Sequence, residues 1–384
     1  MNVLCYALLA ALVIPLIPTA LAQQMDWSLL ETDSAPPARR SHAMAYDQEN
    51  GVVVLFGGYG NGSHLSDTWA LDVGTKTWKN MEPSHAPSPR AATTMVYDRV
   101  NEQMILFGGF GLGHSVVSNE TWTYSYERNE WSRIETEFAP SERASYGMAL
   151  DTQRQELVLF GGFTEMGYFN DLWVYNIVKQ EWQILEVSGE SPAPRGAMSF
   201  VYDVKKDYFV MFGGFSDQGF FSDTWILDPN AAAWIEVKPE SSPPSLRSRM
   251  VYDDSSGISV LFGGDTIPLE GHQGSAVPYG KTWSYNSSEQ RWTEISAHNS
   301  PKSRALNGIA YVTDTDTVVI FGGTDTLIDD ANFVGHEFQD TWVLAPEKGR
   351  DDFGIILVLP IIVVAGALGI FVIARRKKRK TTAE

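Results

Sequence analysis

The tripeptide Phe-Gly-Gly occurs six times, beginning at Phe56, Phe107, Phe160, Phe212, Phe262 and Phe321 of the 384-residue chain. The intervals are 51, 53, 52, 50 and 59 residues. A period near fifty signifies a repeat architecture, and four short strands fit that length. Each unit reads alike ahead of the glycines. "RRSHAMAYDQENGVVVLFGG" and "AATTMVYDRVNEQMILFGG" are two apolar runs separated by a polar turn, the pattern of paired buried strands. Beyond the glycines comes a loop and then a tryptophan: Trp69, Trp122, Trp173, Trp225, Trp283 and Trp342. A second tryptophan follows at a constant interval of nine, at Trp78, Trp131, Trp182, Trp234 and Trp292. A fixed interval of that size predicts a tight hairpin between a third and a fourth strand.

Paired glycines, a preceding tyrosine and two spaced tryptophans resemble the kelch repeat. Six such copies cover roughly Met25 to Leu344. The resemblance implies an all-β, six-bladed kelch-type β-propeller, one four-stranded blade per repeat around a central channel. Trp342 has no partner nine residues on, and Trp27, in "MDWSLLE", has no repeat before it. We therefore expect the N-terminal segment to supply the fourth strand of the sixth blade, closing the ring and removing an unpaired edge.

Two segments are set apart from the repeats. Residues 1–22 are apolar, contain no acid and end in Ala20-Leu21-Ala22, the character of a cleaved secretory leader. Phe353 to Ala374 is 22 residues without a charge, long enough as a helix to cross the roughly 30 Å apolar layer. "RRKKRK" follows, and basic clusters stay on the cytoplasmic side. The expected organisation is a signal peptide at 1–22, a propeller at 23–346, a short linker at 347–352, a transmembrane helix at 353–374 and a basic cytoplasmic tail at 375–384. This makes the chain a single-pass cell-membrane protein with its propeller outside. The eight residues Ala345 to Asp352 reach at most about 28 Å, so the propeller is expected near the bilayer. Strand directions then turn the loops after strands two and four outward.

Charge and cysteine content narrow the function. The chain carries a net −18; without the six basic tail residues and Glu384, 23 basic and 46 acidic residues leave −23. A surface that acidic repels polyanions, so no nucleic-acid partner is expected. The one cysteine, Cys5, lies in the leader, which leaves the mature protein without thiolate sites or disulfides. Asn61, Asn119 and Asn286 open N-x-S/T triplets, glycan acceptors where the host has that machinery.

Two residue sets converge on the outward face. Arg39, Arg90, Arg143, Arg195 and Arg304 precede strand one, with Arg247 or Arg249 the candidates in the irregular blade five. Tyr59, Phe110, Phe163 and Phe215 directly follow the glycine pair, replaced by Asp265 and Thr324 in blades five and six. Arginine with aromatics is the composition of binding hot spots, and both sets are candidate ligand contacts. Each arginine has an equally available partner within its own blade: Asp67, Glu120, Asp171, Asp223 or Asp340. Blade five lacks that acid just where its arginine register slips.

The long loops of blades five and six carry Asp265, Glu270, His272, Asp329, Asp330, His336 and Glu337. Their spacing matches no metal motif, and neither metal nor cofactor is expected. No nucleophile elbow, zinc-protease helix or phosphate loop is present, so no catalytic residues are assigned.

The leading reading is a non-catalytic cell-surface module that binds an unidentified protein or glycan on its outward face. The alternative is a carbohydrate-active enzyme similar to the sialic-acid mutarotases, which are six-bladed kelch propellers. The galactose-oxidase type needs a tyrosine–cysteine cross-link, which a mature chain without cysteine cannot make. A histidine or acid with a displaced pKa beside an arginine in the channel mouth would favour the enzyme. A flat or filled mouth would favour the binder, and arginines all paired within their blades would fit a purely structural surface protein.

Overall fold

The computed structural model describes residues 24–111, 117–244, 247–266, 277–325, 327–329 and 332–347. The segments expected as leader, membrane helix and basic tail, and all of the linker but Glu347, lie outside the described residues. Among the described residues every regular element is a strand, and no helix is long and apolar enough to cross a membrane.

The strands assemble into six four-stranded antiparallel sheets, the blades of a six-bladed propeller. Blade one shows the pattern, with Ala43–Asp47, Val52–Gly60, Ser63–Asp72 and Thr77–Asn80 in sequence order. Its inner hairpin is set by Asp47, whose carboxylate accepts the backbone N–H groups of Glu49 and Asn50. Asp98, Asp151, Asp203 and Asp253 repeat this turn. A short side-chain acceptor two residues before the donor stabilises a tight turn locally.

The inner strands Ala43–Asp47, Thr94–Asp98, Gly147–Asp151, Ser199–Asp203, Arg249–Asp253 and Gly308–Val312 each neighbour the next, and the last neighbours the first. Just ahead of them, backbone hydrogen bonds run from blade to blade around the hub. They join Ser41 to Leu306, Ala92 to Ser41, Ser145 to Ala92 and Ala197 to Ser145.

The glycine pairs are needed where strand two turns between neighbouring blades. Gly57 and Gly58 have φ of 63° and 101°, a region costly for any residue with a Cβ. A Cβ on Gly57 would lie 2.6 Å from the Arg90 carbonyl oxygen of the next blade.

The second tryptophan of each unit seals the seam to the preceding blade. Trp131 packs on Phe56 at 4.8 Å between ring centroids, and its indole N–H donates to Thr68 at 2.9 Å. Trp78, Trp182 and Trp292 repeat both contacts with Phe321 and Thr341, Phe107 and Thr121, and Phe212 and Thr224. Trp234 packs on Phe160, yet its N–H has no partner among the described residues. The reason is in the sequence: blade three carries Leu172 where the other blades carry threonine.

Met25–Leu29 pairs with Thr341–Pro346 in the sheet of blade six, in register from Met25 opposite Pro346 to Leu29 opposite Trp342. Trp27 makes the same two seam contacts as its counterparts, packing on Phe262 at 5.0 Å and donating to Thr282 at 2.8 Å.

Candidate binding face

The five arginines ahead of strand one are at most 1% exposed. Arg143 shows how each is used. Its Nε donates to the Ser141 carbonyl and its Nη1 to the Gly161 carbonyl, while Nη1 and Nη2 grip Asp171 at 2.6 and 2.9 Å. The guanidinium also lies over the Phe169 ring at 4.2 Å. Arg195 and Arg304 repeat the arrangement with Asp223 and Asp340 over Phe221 and Phe338, and Arg39 makes the same hydrogen bonds with Asp67. Arg90 differs: it reaches Glu120 through Nη2 alone and gives its other N–H groups to the Ser88 and Gly108 carbonyls and the Ser88 and Ser118 hydroxyls.

Of the two uses the sequence left open for these arginines, the geometry fits the in-blade ion pair. Each guanidinium spends at least four of its five N–H groups inside its own blade. A donor already spent and sealed from solvent offers a ligand nothing. The same carboxylates accept the indole N–H of the first tryptophan two residues on, as Asp171 does from Trp173 at 2.7 Å. In blade five Tyr279 takes that acceptor role for Trp283, and the displaced Arg247 pairs instead with buried Asp265 at 2.7 Å.

Burial raises the carboxyls of Asp67, Asp171, Asp340 and Glu120, but hydrogen bonds and charge from their arginines outweigh it and hold all four below the usual range. A depressed folded-state pKa gives stability that is present above the unfolded value, about 3.9 for Asp and 4.3 for Glu. That stability is lost as pH falls through the folded values. The urea midpoint should therefore lose little of this contribution between pH 7 and 5 and fall steeply below about pH 4. Asp265 runs the other way, because burial outweighs Arg247 and raises its carboxyl; one group opposes four. An unchanged urea midpoint at pH 3 would contradict the assignment.

The aromatics that follow the glycine pair are placed differently. Tyr59, Phe110, Phe163 and Phe215 are all half-buried. Phe110 meets Phe163 at 5.4 Å in a T-shaped contact and Phe163 meets Phe215 at 6.0 Å in a tilted one, a row across three blades. Two short hairpins widen the cluster: Phe163–Thr164 with Gly167–Tyr168, and Phe215–Ser216 with Gly219–Phe220. Tyr168 packs on both Phe163 and Phe215, and Phe220 packs on Phe215. Met166 at the first hairpin tip is 91% exposed. Tyr59 lies apart on blade one beneath Arg40, whose guanidinium is 4.5 Å from the ring centroid and also pairs with Glu337.

Sequence reasoning missed Tyr168, Phe220 and Met166. Their signal was a Gly five residues after the glycine pair in blades three and four, Gly167 and Gly219, each followed directly by an aromatic.

Of the acidic and histidine residues in the long loops, Glu270, His272 and Asp330 lie outside the described residues, and only the backbone of Asp329 is described. His336 is 3.8 Å from Asp325. Among the described residues no group of His, Cys, Asp and Glu is arranged to hold a metal ion.

The inner strands enclose a channel of about 630 Å³. At its lip on the glycine-pair side stands His42, 2% exposed, with neither ring nitrogen hydrogen-bonded. Burial, then the charges of Arg39 and Arg249, push its pKa well below the usual value.

A model of the KLHDC2/KLHL20/DRC7 Kelch-repeats domain matches residues 19–202 and 147–350. The chain is 24% identical over 344 residues to acyl-CoA-binding domain-containing protein 5 of Arabidopsis thaliana, covering 86% of this chain and 50% of that protein. It is 26% identical over 302 residues to an F-box/kelch-repeat protein of the same plant, covering 72% and 59%. It is also 26% identical over 311 residues to the flagellar outer-arm dynein alpha chain of Chlamydomonas reinhardtii, covering 75% and 7%. In each of these relatives the similar region is one part of a longer protein.

Proposed function

The chain belongs to the kelch-repeat family, and from that premise we propose that it is a non-catalytic binding module whose partner is a protein held on the glycine-pair face. The observation that carries the reading is the run of half-buried aromatic rings from Phe110 through Phe163 to Phe215. None of these three rings belongs to a blade core. Aromatic side chains offer large, stiff contact area at small entropic cost, and clustered aromatics anchor interfaces. The arginines hold the blades in shape beneath this surface. A glycan could use the same rings, and its binding is the other outcome of the test below.

The cell-surface location is part of the proposal. With residues 1–22 read as a leader and 353–374 as a membrane helix, the propeller stands outside the cell. The pairing of Met25–Leu29 with Thr341–Pro346 serves in this reading as the closure of the ring.

The enzymatic alternative rests on His42 beside Arg39 and Arg249. Against it, a Cβ on Gly308 would come within 2.4 Å of the His42 ring, so tightly is that ring packed. Asp254, the acid among the described channel-lining residues, stands at the opposite end. Acid–base chemistry on a sugar needs two groups within reach of one substrate.

The test uses the full-length chain displayed on intact cells, probed with surface-protein and glycan libraries. A Phe163→Ala, Phe215→Ala double variant should lose binding by about tenfold or more while surface display stays at the wild-type level. Binding that survives the double substitution unchanged would refute the proposal.

A further inference from the structure

The hub channel contains a cation that no carboxylate among the described residues answers. At the first position of the inner strand five blades carry small residues, Ala43, Thr94, Gly147, Ser199 and Gly308. Space there is short: a Cβ on Gly147 would lie 2.6 Å from Phe200, and one on Gly308 would lie 2.2 Å from Met44. Blade five instead carries Arg249, and its side chain lines the channel.

Arg39, Arg90, Arg143, Arg195, Arg247 and Arg304 each have a carboxylate within 2.7 Å. Arg249 makes no ion pair and no side-chain hydrogen bond with the described residues. Its charge is felt by His42 on blade one and by Tyr146 on blade three, so it acts across the hub and not only within its own blade. Loss of water around the guanidinium already weakens its hold on its proton. A partly desolvated charge without a partner is a standing cost to the fold.

We propose that the channel is a binding site for a small oxyanion, held on the Arg249 guanidinium at the glycine-pair end. Guanidinium groups bind planar carboxylates and tetrahedral phosphates alike through paired N–H donors. The neighbouring lining residues Thr93, Tyr146 and Ser199 are uncharged, and their hydroxyls donate to the Phe107 and Ser248 carbonyls, so the guanidinium supplies the donors to the anion. The lining acid Asp254 follows the far end of the same strand as Arg249, so it does not repel an anion at the near end. The channel volume falls within the range of roughly 300–1,000 Å³ usual for small-molecule sites. This site is independent of the aromatic surface and stands whether or not that surface binds a protein.

The test is calorimetric titration of the full-length chain with inorganic phosphate and, separately, with acetate, at constant ionic strength in chloride buffer. We expect saturable one-to-one binding of at least one of them. Phosphate alone identifies a tetrahedral oxyanion, and acetate alone identifies a carboxylate. Arg249→Met should weaken binding at least about tenfold, and Arg128→Met, at an exposed surface arginine, should leave it unchanged. Arg249→Lys keeps the charge without the paired donors and should also weaken binding, which preserves the test if the Met variant does not fold. No saturable binding of either anion, or binding of equal strength in the Arg249 variants, overturns the proposal.

Discussion

Replacing Trp27 with alanine is expected to destabilise the propeller by about 3–5 kcal/mol, the usual cost of truncating a fully buried tryptophan. Trp27 is 1% exposed and shares a core with Val260, Phe262, Ile309, Val318, Ile320 and Leu344. Those residues belong to blades five and six, so the indole fills a seam between two sheets. Its loss leaves a cavity there and strips the Thr282 hydroxyl of its donor. The effect is amplified by where the strand lies in the chain. Met25–Leu29 is attached to its sheet by hydrogen bonds and packing, whereas every other outer strand is also held by a hairpin to the strand before it. Asp26 adds a tether to blade five, accepting from the Asn299 backbone and side chain at 2.8 and 2.9 Å. Once the strand leaves, Thr341–Pro346 becomes an open edge, which invites pairing with another chain. Urea unfolding with size-exclusion chromatography checks both consequences: a lowered midpoint and a concentration-dependent larger species. A loss below about 1 kcal/mol, comparable to a surface substitution, would show that the ring does not depend on this strand.

The blades were legible because their signals are local. The Phe-Gly-Gly tripeptide and the nine-residue tryptophan interval each lie within one hairpin, and Trp27 could be assigned by counting tryptophans that lacked a partner. The arginines were not legible to the same degree. Arg39 and Asp67 are 28 residues apart and Arg304 and Asp340 are 36 apart, and composition cannot tell an ion pair closed across a blade from a donor held out for a ligand. Arg249 was harder still. It appeared only as one of two residues standing in for a slipped arginine, and its position in the channel follows from the strand register Arg249 opposite Phe262. The aromatic cluster was half legible. Phe110, Phe163 and Phe215 share one offset from the glycines, but Tyr168 joins them only because the hairpin Phe163–Tyr168 folds its ring onto Phe163 and Phe215. Trp234 shows the reverse case, where a single departure at Leu172 explains a missing hydrogen bond on a different blade.

Arg143→Ala is expected to cost about 3–5 kcal/mol, because removing one partner of a buried ion pair leaves the other charge uncompensated. The arginine side chain is fully buried, while Asp171 keeps 27% of its surface in solvent, so water recovers part of the loss and the lower end of that range applies. The carboxylate is not the only group stranded. The Ser141 and Gly161 carbonyls lose their donors, and Phe169 loses the cation stacked on it. Asp171→Asn should cost less, about 1–3 kcal/mol, since the amide oxygen can still accept from the guanidinium or from Trp173. The ordering of the two variants separates this account from a ligand-contact role, in which either change would spare stability and abolish binding. Chemical denaturation of both variants, with binding to any partner recovered from the surface screen measured alongside, gives the answer. Loss of binding by Arg143→Ala at wild-type stability would place the arginine ring on the working surface and overturn its structural assignment.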